Sequence, residues 1–180
     1  LALSQEVPGS RDYLVHCGSL SKILSAGLRL GWLIAPPALL SRTVMCKQFS
    51  DANSSTFAQT TAAQYLAAGR LAATLDHARA AYGQRARTMC DALTAGLGDR
   101  LEFVRPQGGL FVWARLTGAG GALKDAKTWN ERGVAEGVAF VPGAPFYATN
   151  ADPATLRLSF ATADDAKIRE GVQRLVKALG

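Results

Sequence analysis

The chain has 180 residues, of which 48% are hydrophobic and 19% are charged, so it can bury a core and is not a disordered segment. Its 20 basic and 14 acidic residues give a net charge of +6. The arginines are scattered along the sequence, which favours solvated helix surfaces over a nucleic-acid-binding face.

The three cysteines, Cys17, Cys46 and Cys90, stand alone in the sequence. This pattern predicts neither a disulfide framework nor a zinc site, and it is typical of a reducing, cytoplasmic compartment. No apolar run approaches the length of a membrane span, and no signal sequence opens the chain. Because the first residue is Leu1 rather than Met, we expect a fragment or a processed chain.

Two short apolar runs, residues 13–17 and 30–35, predict buried strands. A short irregular loop joins them, which indicates a sheet covered on both faces. Three helices are then predicted by apolar periodicity and by the breaks between them. They cover residues 38–49, residues 56–68 with Ser55 as the N-cap, and residues 71–97.

After Gly98 the pattern changes to short strands and amphipathic helices. Strands are predicted at 101–104, 110–116, 138–141 and 156–160, and helices at 122–136 and 164–179. The predicted domain boundary lies inside or just after the long helix, near Leu97. The prediction is an α/β protein in which residues 1–97 belong to a larger domain and residues 98–180 form a small α/β sandwich.

Chemistry is concentrated around Lys22, which follows the first predicted strand within Ser19-Leu20-Ser21-Lys22. Partial burial there would lower the pKa of the lysine and leave a neutral amine able to attack a carbonyl group. Arg29 follows seven residues later, between Gly27 and Gly31. Its guanidinium can form two parallel hydrogen bonds to phosphate oxygens. An amine beside such an anion site suits an aldehyde cofactor that carries a phosphate.

The segment GSLSKILSAGLRLGW, residues 18–32, resembles the Schiff-base lysine motif of fold-type I pyridoxal-phosphate enzymes, S-x-S-K followed by G-x-R-x-G. The spacing is similar to that of the branch with 2-aminoadipate and kynurenine aminotransferases and MocR-type regulators. The resemblance implies pyridoxal 5'-phosphate as the cofactor and Lys22 as its covalent anchor and catalytic residue. It also implies that Ser19, Ser21 and Arg29 bind the phosphate.

Three later segments resemble further motifs of that family in the same order: residues 105–113, 137–143 and 156–160. The last, Leu156-Arg157-Leu158-Ser159-Phe160, resembles L-R-L-x-F, whose arginine binds the substrate α-carboxylate. Arg157 therefore has that implied role. Its flanking leucines place it on the opposite face of a period-2 strand from the apolar side. The resemblance implies amino acid and 2-oxo acid substrates, a homodimer, and a fold that comprises the C-terminal part of the large cofactor-binding domain plus the small domain.

The family's N-terminal half supplies the aspartate at the pyridine nitrogen, and no residue here matches it. We therefore expect the isolated chain to have little or no transaminase activity. Three alternatives stay open: the effector domain of a MocR-type transcriptional regulator, another fold-type I reaction such as a lyase or decarboxylase, and a non-catalytic remnant. Retention of Arg157 favours chemistry that preserves the carboxylate, and hence transamination.

Overall fold

A computed structural model describes residues 6–119 and 123–180 of the chain. It contains two compact units, Leu1–His77 and Ala78–Gly180, which divide inside the longest helix. The proposed assignment of residues 1–97 and 98–180 to two domains stays a prediction. Among the described residues, no helix is long and apolar enough to cross a membrane.

The first unit begins with an antiparallel strand pair followed by helices. Strands β1 (His16–Ser19) and β2 (Gly31–Ile34) pair with Ser19 opposite Gly31. Helices α1 (Pro37–Ser50) and α2 (Thr56–Ala67) follow, and α3 (Leu71–Leu97) begins in this unit. The hydroxyl of Ser55 accepts a hydrogen bond from the Ala58 N–H at 3.3 Å, which confirms the predicted N-cap of α2.

The prediction that the first two strands are buried is wrong for the described chain. β1 begins at His16, so the apolar residues before it lie outside the strand, and Tyr13 is 89% exposed. Trp32 and Ile34 of β2 are also exposed, at 43% and 45%. The described sheet has two strands only, so no further strand flanks these residues.

The second unit is a four-stranded antiparallel sheet with helices packed on one face. The strands are β3 (Leu101–Phe103), β4 (Phe111–Leu116), β5 (Val141–Pro142) and β6 (Thr155–Ser159), in the spatial order β3-β4-β6-β5. Helices α4 (Ala126–Ala135) and α5 (Asp165–Leu179) complete the unit together with the second part of α3. The fold is thus a mixed helix-and-sheet structure, as predicted.

Alternation along β4 explains which face of this sheet carries the core. Val112, Ala114 and Leu116 are buried, whereas the residues between them are exposed. The buried face of the sheet packs against α3, α4 and α5 in one apolar core. Trp129 of α4 is fully enclosed in this core, and its indole N–H donates to the Leu175 carbonyl at 3.1 Å. The opposite face of the sheet carries Arg157 of β6 and Trp113 of β4.

Two predicted elements are shorter than expected, for identifiable reasons. α4 begins at Ala126 because Asp125 caps it, accepting hydrogen bonds from the N–H groups of Lys127 and Thr128. Ala122, the predicted first residue of that helix, lies outside the described residues. The strand predicted at 138–141 pairs only from Val141 onward, because the Val138 N–H donates to Gly133 of α4 rather than to a neighbouring strand.

Candidate functional site

Lys22 lies in a tight turn between β1 and β2. The two ends of this connection meet, since the Leu20 N–H donates to the Leu30 carbonyl at 3.0 Å. The Leu20 carbonyl in turn accepts hydrogen bonds from the N–H groups of Ile23, Leu24 and Ser25, at 2.9–3.3 Å. The backbone around Lys22 is therefore held by local hydrogen bonds on both sides of the lysine.

The β1–β2 connection separates apolar from polar side chains. Leu20 and Leu30 are buried against Ala58 and Ala62 of α2, and other apolar residues of the connection pack on this cluster. Ser19, Lys22 and Arg29 are exposed, and Ser21 is half-buried. The connection is thus packed on α2 through its leucines, while Ser19, Lys22 and Arg29 lie on its exposed side.

The partial burial expected for Lys22 is not found, because the lysine is exposed in the described chain. The expectation depended on a sheet that is packed on both faces, whereas the described sheet consists of two strands only. Desolvation of this amine therefore requires groups beyond those that pack around the β1–β2 connection.

Ser19 forms hydrogen bonds within the connection itself. Its Oγ accepts from the Ser21 N–H at 3.1 Å and donates to the Leu30 carbonyl at the long distance of 3.4 Å. A hydroxyl has one donor and two acceptor positions, so its weakly bound hydrogen can be redirected to a phosphate oxygen by rotation. Ser19 also acts as a structural residue, because it fixes the backbone of Ser21 beside Lys22.

Arg29 has a strained backbone. Its φ of 53° lies in the left-handed region, which costs a residue with a side chain about 1–2 kcal/mol. The residue ends a single 3₁₀ turn, and both its N–H and its Nη1 donate to the Ala26 carbonyl. Strain of this kind is concentrated at functional sites, so the geometry favours a binding role for Arg29.

Arg157 occupies an interior strand of the second unit's sheet. It lies on β6, directly opposite Trp113 of β4 and Val141 of β5. Leu156 and Leu158 point to the opposite face and are buried in the core. Arg157 is therefore not on an edge strand, since β6 is paired on both sides.

The guanidinium of Arg157 contacts aromatic rings instead of a carboxylate. Its Cζ lies over the ring of Phe111 at 4.2 Å and over the ring of Phe146 at 4.6 Å. Within residues 6–119 and 123–180, no acidic side chain forms an ion pair with it. Its N–H donors are therefore available for an anionic ligand.

Ser19 ends β1, and Ser21, Lys22 and Arg29 lie in the β1–β2 connection of the first unit, whereas Arg157 lies in the second unit. Sequence reasoning did not identify Phe146 as a neighbour of Arg157. Phe111 lies two residues before Trp113, the cross-strand partner of Arg157, so strand register would have predicted its proximity. Phe146 follows the Pro142-Gly143 segment, and no sequence pattern predicted its contact.

A cavity of about 450 Å³ lies in the second unit between α3 and residues 105–109. Arg105 at its rim is held by Asp91 at 2.7 Å, a hydrogen bond that raises the pKa of the arginine. Cys90 lines the cavity, and burial raises the pKa of its thiol. The thiol is therefore neutral near pH 7 and provides no nucleophile there.

Comparison with known protein families assigns the chain to one of them. The family described as aminotransferase class I and II matches residues 3–175. The chain belongs to this family. Membership accounts for the order of the four motifs and for the fold of both units.

Relatives of the family differ in what they do. The chain is 36% identical to the aromatic-amino-acid aminotransferase 1 of Thermococcus litoralis, over 92% of this chain and 39% of that protein. The crystal structure of the α-aminoadipate aminotransferase LysN from Thermus thermophilus, complexed with N-(5'-phosphopyridoxyl)-L-leucine, superposes with a TM-score of 0.86 at 36% identity, over 99% of this chain and 43% of that one. The transcriptional regulator TauR of Rhodobacter capsulatus is 32% identical over 92% of this chain and 34% of that protein. The chain therefore spans about two fifths of the length of its aminotransferase relatives.

Proposed function

We propose that the whole protein is a pyridoxal-phosphate-dependent aminotransferase that transfers an amino group from an amino acid to a 2-oxo acid. The observation that carries the proposal is the β1–β2 connection, held by local hydrogen bonds, which contains Ser21, Lys22 and Arg29 and follows directly after Ser19. Membership of the aminotransferase family and the LysN complex support it.

The cofactor is pyridoxal phosphate, and the donor set of the connection fits it. The primary amine of Lys22 would hold the cofactor by condensing with its aldehyde, with release of water. The guanidinium of Arg29 matches two phosphate oxygens, while Ser19 and Ser21 supply hydroxyl donors. The anchoring of Leu20 and Leu30 on α2 keeps these groups in place without any contribution from the cofactor.

When bound, the cofactor supplies an electron sink for the negative charge that develops at the substrate Cα. Arg157 binds the α-carboxylate, because its fork of N–H donors is unpaired in the described chain and matches a carboxylate. Lys22 would remove the proton from the substrate Cα as general base and would then donate that proton, as general acid, to the cofactor carbon. The hydrogen bonds around Leu20 hold the backbone of Lys22 during this transfer.

We expect the remaining groups of the site to come from parts of the protein beyond this chain. We expect the isolated 180-residue chain to have little or no activity, since none of its residues matches the aspartate that pairs with the pyridine nitrogen. A homodimer in the cytoplasm is the expected state of the whole protein. The relatives include aminotransferases of aromatic and of aminoadipate substrates, so the substrate side chain is left open.

The test is Lys22→Ala in the full-length protein with pyridoxal phosphate. We expect the absorbance of the covalently bound cofactor to disappear together with transamination. Lys47→Ala is a matched control, because Lys47 lies on α1 and its amine forms an exposed ion pair with Asp51. If the cofactor absorbance persists in Lys22→Ala, the role of Lys22 is wrong.

A second candidate is the effector domain of a helix-turn-helix regulator, which the similarity to TauR favours. In that case the whole protein would bind a specific DNA duplex, and its affinity would change with pyridoxal phosphate. Steady-state transamination by the full-length protein, with no specific DNA binding in a fluorescence anisotropy titration, supports the enzyme instead.

A further inference from the structure

Two aromatic rings from different segments meet at one guanidinium. Phe111 belongs to β4, and Phe146 belongs to a short 3₁₀ turn after β5. Both rings lie within 4.6 Å of the Cζ of Arg157. The guanidinium contacts the faces of the rings, whose negative electrostatic potential attracts a cation. Such contacts do not require the N–H donors of the arginine.

The position of Phe146 is determined by the backbone before it. The Gly143 N–H donates to the Thr155 carbonyl of β6 at 2.6 Å, and the Phe146 N–H donates to the Gly143 carbonyl at 2.9 Å. A Cβ at Gly143 would lie 2.7 Å from the Thr155 Cβ, so only glycine allows this close approach. The Phe146 ring thereby reaches Arg157, which lies two residues after Thr155 on β6.

Trp113 supports the ring of Phe146 from the side. The two ring centroids are 5.7 Å apart with the planes at 83°, an edge-to-face arrangement. Trp113 is also the direct cross-strand partner of Arg157. Three aromatic side chains therefore limit the positions that the arginine side chain can adopt, although its guanidinium has no carboxylate partner in the described part of the chain.

We propose that Phe111 and Phe146 are positioning residues that hold the Arg157 guanidinium by ring contacts and leave its N–H donors free for the substrate carboxylate. An arginine side chain has many rotamers, and binding a carboxylate normally requires that this freedom be lost. The rings restrict it before substrate arrives. They act on binding in the ground state and the transition state alike, which changes KM rather than kcat.

This inference rests on the proposed function, since it requires a carboxylate substrate at Arg157. The full-length, cofactor-loaded protein with its best amino donor is the system for the test. We expect Phe146→Leu to raise KM by about three- to tenfold, the factor for one additional immobilised side chain, with kcat within about twofold of wild type. Phe146→Tyr keeps a ring and restores the KM. Phe111→Leu repeats the measurement independently if Phe146→Leu does not fold.

A second readout does not depend on turnover. Calorimetry measures Kd for the carboxylate analogue of the donor in which hydrogen replaces the amino group, and we expect Phe146→Leu to weaken it by the same factor. Phe103→Leu is the matched control, because Phe103 packs on the core from β3 of the same sheet. This control lowers the unfolding midpoint and leaves both KM and Kd unchanged.

The outcomes separate the two proposals. If Arg157→Gln leaves KM within twofold, Arg157 does not bind the substrate carboxylate and the proposed function fails at this residue. If Arg157→Gln raises KM by tenfold or more while Phe146→Leu and Phe111→Leu leave it unchanged, only the positioning role is overturned. An additional Phe146→Leu substitution in the Arg157→Gln protein should have no further effect on KM, because the rings act through the arginine.

Discussion

Gly143→Ala should destabilise the protein although it adds only one methyl group. Gly143 has a φ of −80°, which any residue adopts, so the backbone conformation itself is not the obstacle. The obstacle is space, because the new Cβ would lie 2.7 Å from the Thr155 Cβ and 2.8 Å from the Thr155 carbonyl carbon. Carbon atoms at optimal contact are separated by about 3.5–4.0 Å.

Thr155 cannot move away without losing its own contacts. It is buried, and its hydroxyl donates to the Asp152 carbonyl at 2.7 Å. The segment before Phe146 must move instead, which lengthens the 2.6 Å hydrogen bond between Gly143 and Thr155. Overpacking of about 1–3 kcal/mol and one weakened hydrogen bond of about 1 kcal/mol give an expected destabilisation of about 2–4 kcal/mol.

Urea denaturation of the full-length protein measures this change, and steady-state kinetics follow the predicted rise in KM caused by displacement of Phe146. Gly171→Ala is the matched control. Its Cβ would lie 3.7 Å from Val138, an ordinary contact, and it lies inside α5, where alanine is preferred over glycine by up to about 1 kcal/mol. The reasoning is refuted if Gly143→Ala unfolds at the same urea concentration as wild type with an unchanged KM.

Three further predictions test the fold and the proposed function. Trp129→Phe should lower the free energy of unfolding by about 1–3 kcal/mol, measured by urea denaturation, because the hydrogen bond to Leu175 is lost from a fully enclosed site. Hydrogen bonds lower the pKa of two carboxyl groups below 3.8, chiefly the bond from the Thr128 hydroxyl for Asp125 and the bond from Arg115 for Asp152. Their contribution to stability is therefore complete above that pH and is lost as the pH falls further. The fall in the urea unfolding midpoint between pH 6 and pH 3 should be smaller in Asp152→Asn than in wild type. The isolated chain mixed with pyridoxal phosphate and an amino donor should show no turnover in a coupled 2-oxo acid assay, and rapid turnover would contradict the expectation that the remaining groups of the site lie elsewhere.

The second unit was predictable from the sequence because its elements bury their apolar faces within the unit. The alternation from Phe111 to Leu116 identified β4, and the periodicity of α5 matched its core face. The bounds of α3, Leu71–Leu97, agree with the prediction at both ends. In each case the partner that buries the apolar residues is part of the described chain.

The first unit shows where such prediction stops. Apolar runs around Val15 and Trp32 indicated buried strands, but both side chains are exposed in the described chain. An apolar run shows that a strand favours burial, but it does not show that another element packs on the strand. The Lys22 connection was found because its residue types are unusual together, whereas the ring contacts of Arg157 depend on strand register and on the turn after Gly143. Those contacts are tertiary, so no local pattern encodes them.

The most direct test of the central claim is to locate the cofactor on the chain. The full-length protein is loaded with pyridoxal phosphate, reduced with borohydride, digested and analysed by mass spectrometry. We predict one phosphopyridoxyl group on the peptide that contains Lys22 and its absence from Lys22→Ala. A stoichiometric group on another lysine, with Lys22 unmodified, would contradict the account.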